Sequence, residues 1–400
     1  MDLRHRRLRL SRFAIRPPGA AAGVMMHSRL QSVVDVGADG LDLLRRFASP
    51  TAPSALADLV AGDVDALLAV IAELVAAGIL VGEDEEEDLR RGGRAGWEAQ
   101  QALLVAADAP LFGGGIDAAE AELRLVGVPF DGAGVSGPAA APGALRQLGA
   151  QSWPFIDPLS GAFRGVRDQS CGRVLLEGAR VCDHGDVNFA PWDERAAAFE
   201  RIRRAAAWVA SLGGTPVFVG GDHSITEPLL RGCAREPVFV VHLDAHTDID
   251  TDFAGAAHHH GNVMERLRRS QLVRGILQIG VRDLAPPWWR SPDRVRQIGA
   301  RELAWLTAAE VVARVPEGIP CYLTVDIDVV DPAEAPGTGC PVPGGPRLDR
   351  VVEIVEELIA ARPVIGVDLV ELAPHLDPRG LTTAAAAHLL LRMLDALRRR

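Results

Sequence analysis

The sequence predicts an α/β protein, a mostly parallel open sheet flanked by helices, preceded by a small N-terminal α+β domain. From Leu123 onward, apolar runs rich in β-branched residues alternate with amphipathic helical stretches, the grammar of an open sheet with helical crossovers. Three of those runs, "PVFVG", "PVFVV" and "CYLTV", break off into clusters of Asp, His and Gly, at the strand ends where such sheets gather ligands. The first 82 residues are built differently, from shorter strand-like and helix-like pieces. A chain of 400 residues suits a main domain with a smaller one attached. The expected boundaries are 1–82 for the small domain, 83–122 for a linker and 123–400 for the main domain.

Taken in order, "RLRLSRFAI" and "GVMMHSRLQSVVDVG" alternate as short strands. Three helices follow, "ADGLDLLRRFAS", "PSALADLVAG" and "DVDALLAVIAELVAAG", with Pro53 opening the second and Gly78 closing the third. A final "GILV" strand completes the layout of a winged helix. Leu67, Leu68, Ile71, Leu74 and Val75 fall at helical spacing and read as core. The stretch "EDEEEDLRRGGRAG" then reads as a solvated linker.

Charge and cysteine usage exclude several classes. A net charge of -11 disfavours a broad nucleic-acid surface. The third helix of the winged layout carries Asp63, Asp65 and Glu73 and no arginine, so it lacks the cations a phosphate-facing helix needs. No nucleic-acid partner is expected. Cys171, Cys182, Cys233, Cys321 and Cys340 are odd in number and form no CxxC, which suggests neither a disulfide framework nor a thiolate zinc site. With no apolar signal region and no long apolar span, a soluble cytoplasmic protein without membrane contact is expected.

The three strand ends carry the chemistry. "TPVFVGGDHSIT" ends in Gly220 and Gly221, a tight turn able to aim His223 across the sheet edge. "VVHLDAHTDID" delivers Asp244, His246 and Asp248, which alternation places on one side. "CYLTVDIDVVDP" adds Asp326 and Asp328, again two apart. Acceptor-rich groups facing one another repel unless a cation lies between them. The candidate ligands are therefore His223, Asp244, His246, Asp248, Asp326 and Asp328. Four carboxylates and two imidazoles form a hard set that favours Mn2+, with Fe, Co and Ni left open. Two ions about 3.5 to 4 Å apart balance that charge better than one. His242, buried in its strand, reads as a satisfied core histidine, and His184 and His375 carry no role.

In this order, "GGDHS", "DAHTD" and "DIDVVDP" resemble the three signatures of the ureohydrolase family, which contains arginase and agmatinase. The resemblance spans roughly residues 123–395 and includes "GVPFDGAG", "GDV" at 185–187, "APGTGCPVPGG" and "GVDLVEL". It implies an arginase-like fold with Asp244 and Asp326 bridging two manganese ions. His223 and Asp248 would complete one ion, and His246 and Asp328 the other. The implied reaction is hydroxide attack on a guanidinium carbon, giving urea and an amine. Glu371 of "VEL" would orient the guanidinium and His260 of "AHHHGN" would shuttle the proton, making His260, Glu371 and Asp248 the catalytic set. His258 and His259 read as bystanders. Homo-oligomers occur in the family and are an expectation here.

Departures from the family pattern bear on the substrate. Asp250 stands where arginases place an Asn that reads the α-carboxylate, and Ala285 stands where an acid holds the α-amine. An anion disfavours free arginine. Asp250, Glu371 and Cys340, the last replacing the usual Thr of "TGTP", are the expected substrate-binding residues, and Trp288 and Trp289 read either as an entrance or as ordinary packing. The N-terminal layout, with "VVDVGADGLDLLRRF" and "LLAVIAELVAAGILV", resembles the peptide-recognition domain of ribosomal peptide-modification enzymes, a family that includes the pyrroloquinoline-quinone peptide chaperone. In that family a leader peptide adds as a strand, here at Ser32, Val33, Val34 and Val36. The leading expectation joins both halves: peptidyl arginine in a leader-bearing precursor is converted to ornithine. The alternatives are an agmatinase-like enzyme for a small guanidine, and a non-catalytic winged-helix regulator with a sensor domain.

Overall fold

The computed structural model describes residues 3–11, 14–15, 24–27, 33–47, 50–60, 64–77, 79–82, 103–105, 111, 121–132, 137–152, 164–189, 193–250 and 258–400. Among them, nine strands form the main sheet in the order Val295–Gly299, Val273–Val281, Val238–Leu243, Cys321–Asp326, Val364–Val370, Thr215–Val219, Leu123–Gly127, Val181–Val187 and Leu104–Val105. All adjacent pairs are parallel except the last, where Leu104–Val105 runs antiparallel to Val181–Val187. Strands Val238–Leu243 and Cys321–Asp326 are buried at every position, as a sheet covered on both faces requires. This is the mostly parallel α/β sheet flanked by helices that the sequence predicts. No helix among the described residues is long and apolar enough to cross a membrane.

Two apolar layers sandwich the sheet. On one face, helices Leu348–Ala361 and Leu381–Arg399 pack through Val351, Val355, Leu358, Leu390 and Leu394 onto Leu243, Leu323 and Leu369. On the other, Arg195–Ser211, Thr226–Cys233 and Val263–Arg269 pack through Ile202, Val209, Leu229 and Met264 onto Val240 and Tyr322. Consecutive strands follow the sequence expectation, and every crossover opens at the same edge of the sheet, which is where the three motif loops lie.

In the N-terminal region, Leu8–Leu10 pairs antiparallel with Leu80–Gly82, and Ala14–Ile15, Val24–His27 and Val33–Asp35 form a second antiparallel sheet. The first and third expected helices are Gly37–Arg46 and Val64–Ala76, while the second is a 3-10 helix, Pro53–Val60. Leu67, Ile71 and Leu74 are buried in the local core, with Leu68 and Val75 half-buried. Gly78 and the acidic stretch from residue 83 lie outside the described residues. The segment 83–122 is not wholly a linker, because Leu104–Val105 joins the main sheet, Asn188 N–H donates to Leu103 O at 2.9 Å, and Leu111 is buried. A two-residue strand is too short to show as periodicity.

Candidate functional site

The turn after Thr215–Val219 is built by Gly220 and Gly221, with φ of +84° and +85°. A Cβ on Gly221 would meet Val128 O at 2.7 Å. The turn opens the 3-10 helix His223–Ile225, capped by Asp222 accepting from Ser224 N–H at 3.0 Å, and leaves His223 fully buried. The strand before "DAHTD" ends at Leu243, so a turn, and not strand alternation, gathers Asp244, His246 and Asp248. Backbone donors fix that turn: His246 N–H reaches Asp244 Oδ1 at 2.6 Å and Ala245 N–H reaches Asp328 Oδ1 at 3.0 Å. Asp326 likewise ends its strand and accepts from Asp328 N–H at 2.8 Å, so a 3-10 turn makes this pair co-facial.

All six predicted ligands converge. His223 Nδ1 lies 3.1 Å from Asp244, 3.2 Å from Asp248 and 3.4 Å from Asp326. His246 Nδ1 lies 3.0 Å from Asp328 and 3.4 Å from Asp244. Asp244 thus faces both imidazoles, as a bridging carboxylate would. Donor atoms of His223, His242, Asp244 and Asp248 lie within 4.8 Å of one another, and so do those of Asp244, His246 and Asp328.

The electrostatics are those of a site that takes cations. Burial and the carboxylates of Asp328 and Asp244 push Asp326 well above the usual carboxylate range, and burial with Asp244 pushes Asp328 up to about 6. Burial opposes protonation of both imidazoles, but the surrounding carboxylates outweigh it, holding His223 well above its ordinary value and His246 at about 12. His223 Nδ1 is buried without a hydrogen bond of acceptable geometry. An imidazole lone pair aimed among three carboxylates suits a hard divalent ion, so the donor set fits the two-metal site its residues predict. Two ligand-region residues, Asp248 and Glu371, hold left-handed backbone, φ +51° and +62°, a strain of about 1–3 kcal/mol each for a side chain other than Gly.

A cavity of about 400 Å³ opens onto His246, Asp248, Asp326 and Asp328. Glu371, His260, Asp250 and Cys340 also line it, together with Asp283 and Leu376. Glu371 is buried, and burial, Asp326 and Asp222 raise its carboxyl well above the usual range. His260 is lowered by burial. Trp288 is exposed and Trp289 half-buried, and neither lines the cavity. His242 is the satisfied core histidine expected, but its partners are informative: Nε2 lies 2.7 Å from Asp244 Oδ2 and Nδ1 accepts from Gln278 Nε2 at 3.0 Å. His259 is no bystander. It caps the 3-10 helix His260–Asn262, its Nδ1 accepting from Gly261 N–H at 3.1 Å, and its ring lies against that of His260, centroids 3.8 Å apart and planes tilted by 49°. The His followed by Asn three residues later is a capping-box spacing, the one signal that pointed to it.

At the predicted peptide edge, Val33–Asp35 pairs on one side only, with Val24–His27, among the described residues. Val34 and Val36 pack half-buried against the N-terminal core, and Ser32 lies outside the described residues.

Comparison with known proteins converges on one family. The model of the Arginase family matches residues 121–395. Proclavaminate amidinohydrolase of Streptomyces clavuligerus is 33% identical, covering 67% of this chain and 85% of its own. Agmatinase of Cronobacter sakazakii is 34% identical, covering 69% and 87%. The solved structure of the Streptomyces clavuligerus proclavaminate amidino hydrolase superposes with a TM-score of 0.62 at 29% identity, over 74% of this chain and 98% of that one.

Proposed function

Since the chain belongs to the arginase family and is a metal-dependent amidinohydrolase with a two-metal site, we propose that it hydrolyses peptidyl arginine to ornithine and urea in a leader-bearing precursor peptide, with Mn2+ as its metal. The observation that carries this is the cavity lining. Among the described residues, Asp250 and Asp283 line it, no arginine does, and Ala285 is exposed outside it, so these acids disfavour a free α-carboxylate. A residue whose α-groups are tied up in peptide bonds avoids that conflict. Further support is the edge of Val33–Asp35 that no described strand pairs with, a place for a leader to add as a strand through its backbone.

When bound, a divalent pair supplies a water of lowered pKa as nucleophile near neutral pH. The chain's own residues do the rest. Glu371 binds the guanidinium by charge-assisted hydrogen bonds and sets its carbon toward the ligand cluster. His260, whose imidazole burial lowers, lines the same cavity, where it would take up a proton and pass it to the departing amine. Atoms balance as guanidinium plus water giving urea and a protonated amine.

A second possibility, an agmatinase-like enzyme for a small guanidine, is favoured by the similar relatives and by the same two acids, which suit a distal ammonium. The discriminating experiment is urea release by Mn2+-loaded protein on free arginine, agmatine, and an Arg-containing peptide with and without a leader. Preferred turnover of the leader-bearing peptide, lost on deleting residues 1–82 while small-guanidine turnover is spared, is the expected result. Turnover of small guanidines alone, or equal loss of both on deletion, removes the peptide assignment.

A further inference from the structure

Beneath the ligand cluster, one row of polar side chains crosses five parallel strands. Gln297 pairs in register with Gln278, Gln278 with His242, His242 with Thr324 and Thr324 with Asp368. All but Gln297 are fully buried. So many buried polar groups in one layer are costly unless each is matched, and they are matched in two sets: Gln297 Nε2 donates to Gln278 Oε1 at 2.8 Å and Gln278 Nε2 to His242 Nδ1 at 3.0 Å, while Thr324 and Asp368 bond to each other. Tyr322, the single tyrosine of the chain, donates its hydroxyl to Asp368 Oδ2 at 2.9 Å. Thr324 Oγ1 lies 2.5 Å from Asp368 Oδ1 and 2.9 Å from His223 Nε2.

The order of donation follows from the chemistry of the groups. Thr324 donates its one hydroxyl proton to Asp368 Oδ1. Toward His223 the same oxygen is then an acceptor, and His223 must carry its proton on Nε2. That leaves the Nδ1 lone pair facing Asp244, Asp248 and Asp326, the state a metal ligand requires. Reversing the tautomer would put a proton where the ion must bind.

We infer that Thr324 and Asp368 are positioning residues that fix the tautomer and ring orientation of His223 and thereby set the affinity of the ion His223 holds. This rests on the two-metal site described above. Partners of this kind, one bond removed from a ligand, commonly change metal affinity about 10- to 100-fold when removed.

The test is Mn2+ titration of metal-free, full-length protein, followed by EPR of the free ion and of the exchange-coupled pair. Wild type is expected to bind two ions per chain. Thr324→Val, which keeps the shape and removes the hydroxyl, is expected to bind one of them about 10- to 100-fold more weakly and to lose the coupled signal at limiting Mn2+. Thr324→Ser should restore both, and near-UV circular dichroism of the metal-free variants should match wild type. A purely structural hydrogen bond would lower the melting temperature of the metal-free protein and leave Mn2+ affinity unchanged; that outcome overturns the inference. Should Thr324→Val not fold, Asp368→Asn carries the same expectation and the same overturning result. Wild type binding fewer than two ions overturns the two-metal site itself, and this inference with it.

Discussion

The main-chain N–H of His223 donates to Glu371 Oε1 at 2.7 Å, so a candidate metal ligand and the carboxylate proposed to orient the substrate are held by one bond. Glu371→Gln keeps an acceptor for that N–H and removes only the charge. Its kcat/KM on guanidino substrates is expected to fall about 100-fold, the scale of losing one charge-assisted contact in a closed site. Metal content and melting temperature should stay near wild type. Undiminished kcat/KM would remove Glu371 from guanidinium binding.

Asp326 is buried against His223, with Asp328 and Asp244 raising its carboxyl. Asp326→Asn leaves the volume unchanged and withdraws one of the four charges that would hold the ions. Urea release should vanish and bound Mn2+ should drop below two per chain, while far-UV circular dichroism is retained. A variant that still binds two ions and turns over would show that Asp326 is dispensable.

His259 contributes through its neutral form, because only an unprotonated Nδ1 accepts from Gly261 N–H. Burial, then His260 and Arg195, lower it to about 4, below an unfolded value of about 6.5. The folded pKa is depressed, so the unfolded chain binds the extra proton first as pH falls. Stability from this group is full above about pH 6.5 and is lost progressively down to about pH 4. Urea-denaturation midpoints of wild type should therefore fall more steeply between pH 7.5 and 5 than those of His259→Asn, whose amide caps the turn without titrating. Identical slopes would count against the cap.

Much of the site was legible because its residues sit at fixed spacing within contiguous motifs: His223, Asp244, His246, Asp248, Asp326 and Asp328 need only three loops at one sheet edge. How they converge was less legible. Alternation along a strand accounts for same-side spacing at positions two apart, but Leu243 and Asp326 end their strands, and turns held by Asp244 and Asp326 side chains make the geometry instead. The polar row was illegible for a stronger reason. His242, Gln278, Thr324 and Asp368 each look like one polar residue in an apolar run, and only cross-strand register, which no single strand encodes, sets them side by side. Leu104–Val105 escaped notice because two residues have no period.

Asp250 offers the sharpest test of substrate choice. It is exposed, lines the cavity, and shares it with Asp283, whose carboxyl is raised by burial and by the charges of Asp244 and Asp250 against the opposing effect of His246. A carboxylate open to water repels an α-carboxylate only modestly, on the order of a two- to five-fold effect on binding. Asp250→Asn should therefore lower KM for free arginine by about that factor with kcat little changed, and the gain should shrink as salt rises. Agmatine, whose distal ammonium the acid would attract, should move the opposite way. An Arg-containing peptide lacks a free carboxylate beside the reacting side chain, so its kcat/KM should not change. Parallel shifts for all three would mean that Asp250 acts on the ligand cluster and not on the substrate, and the discrimination would then have to come from elsewhere in the cavity.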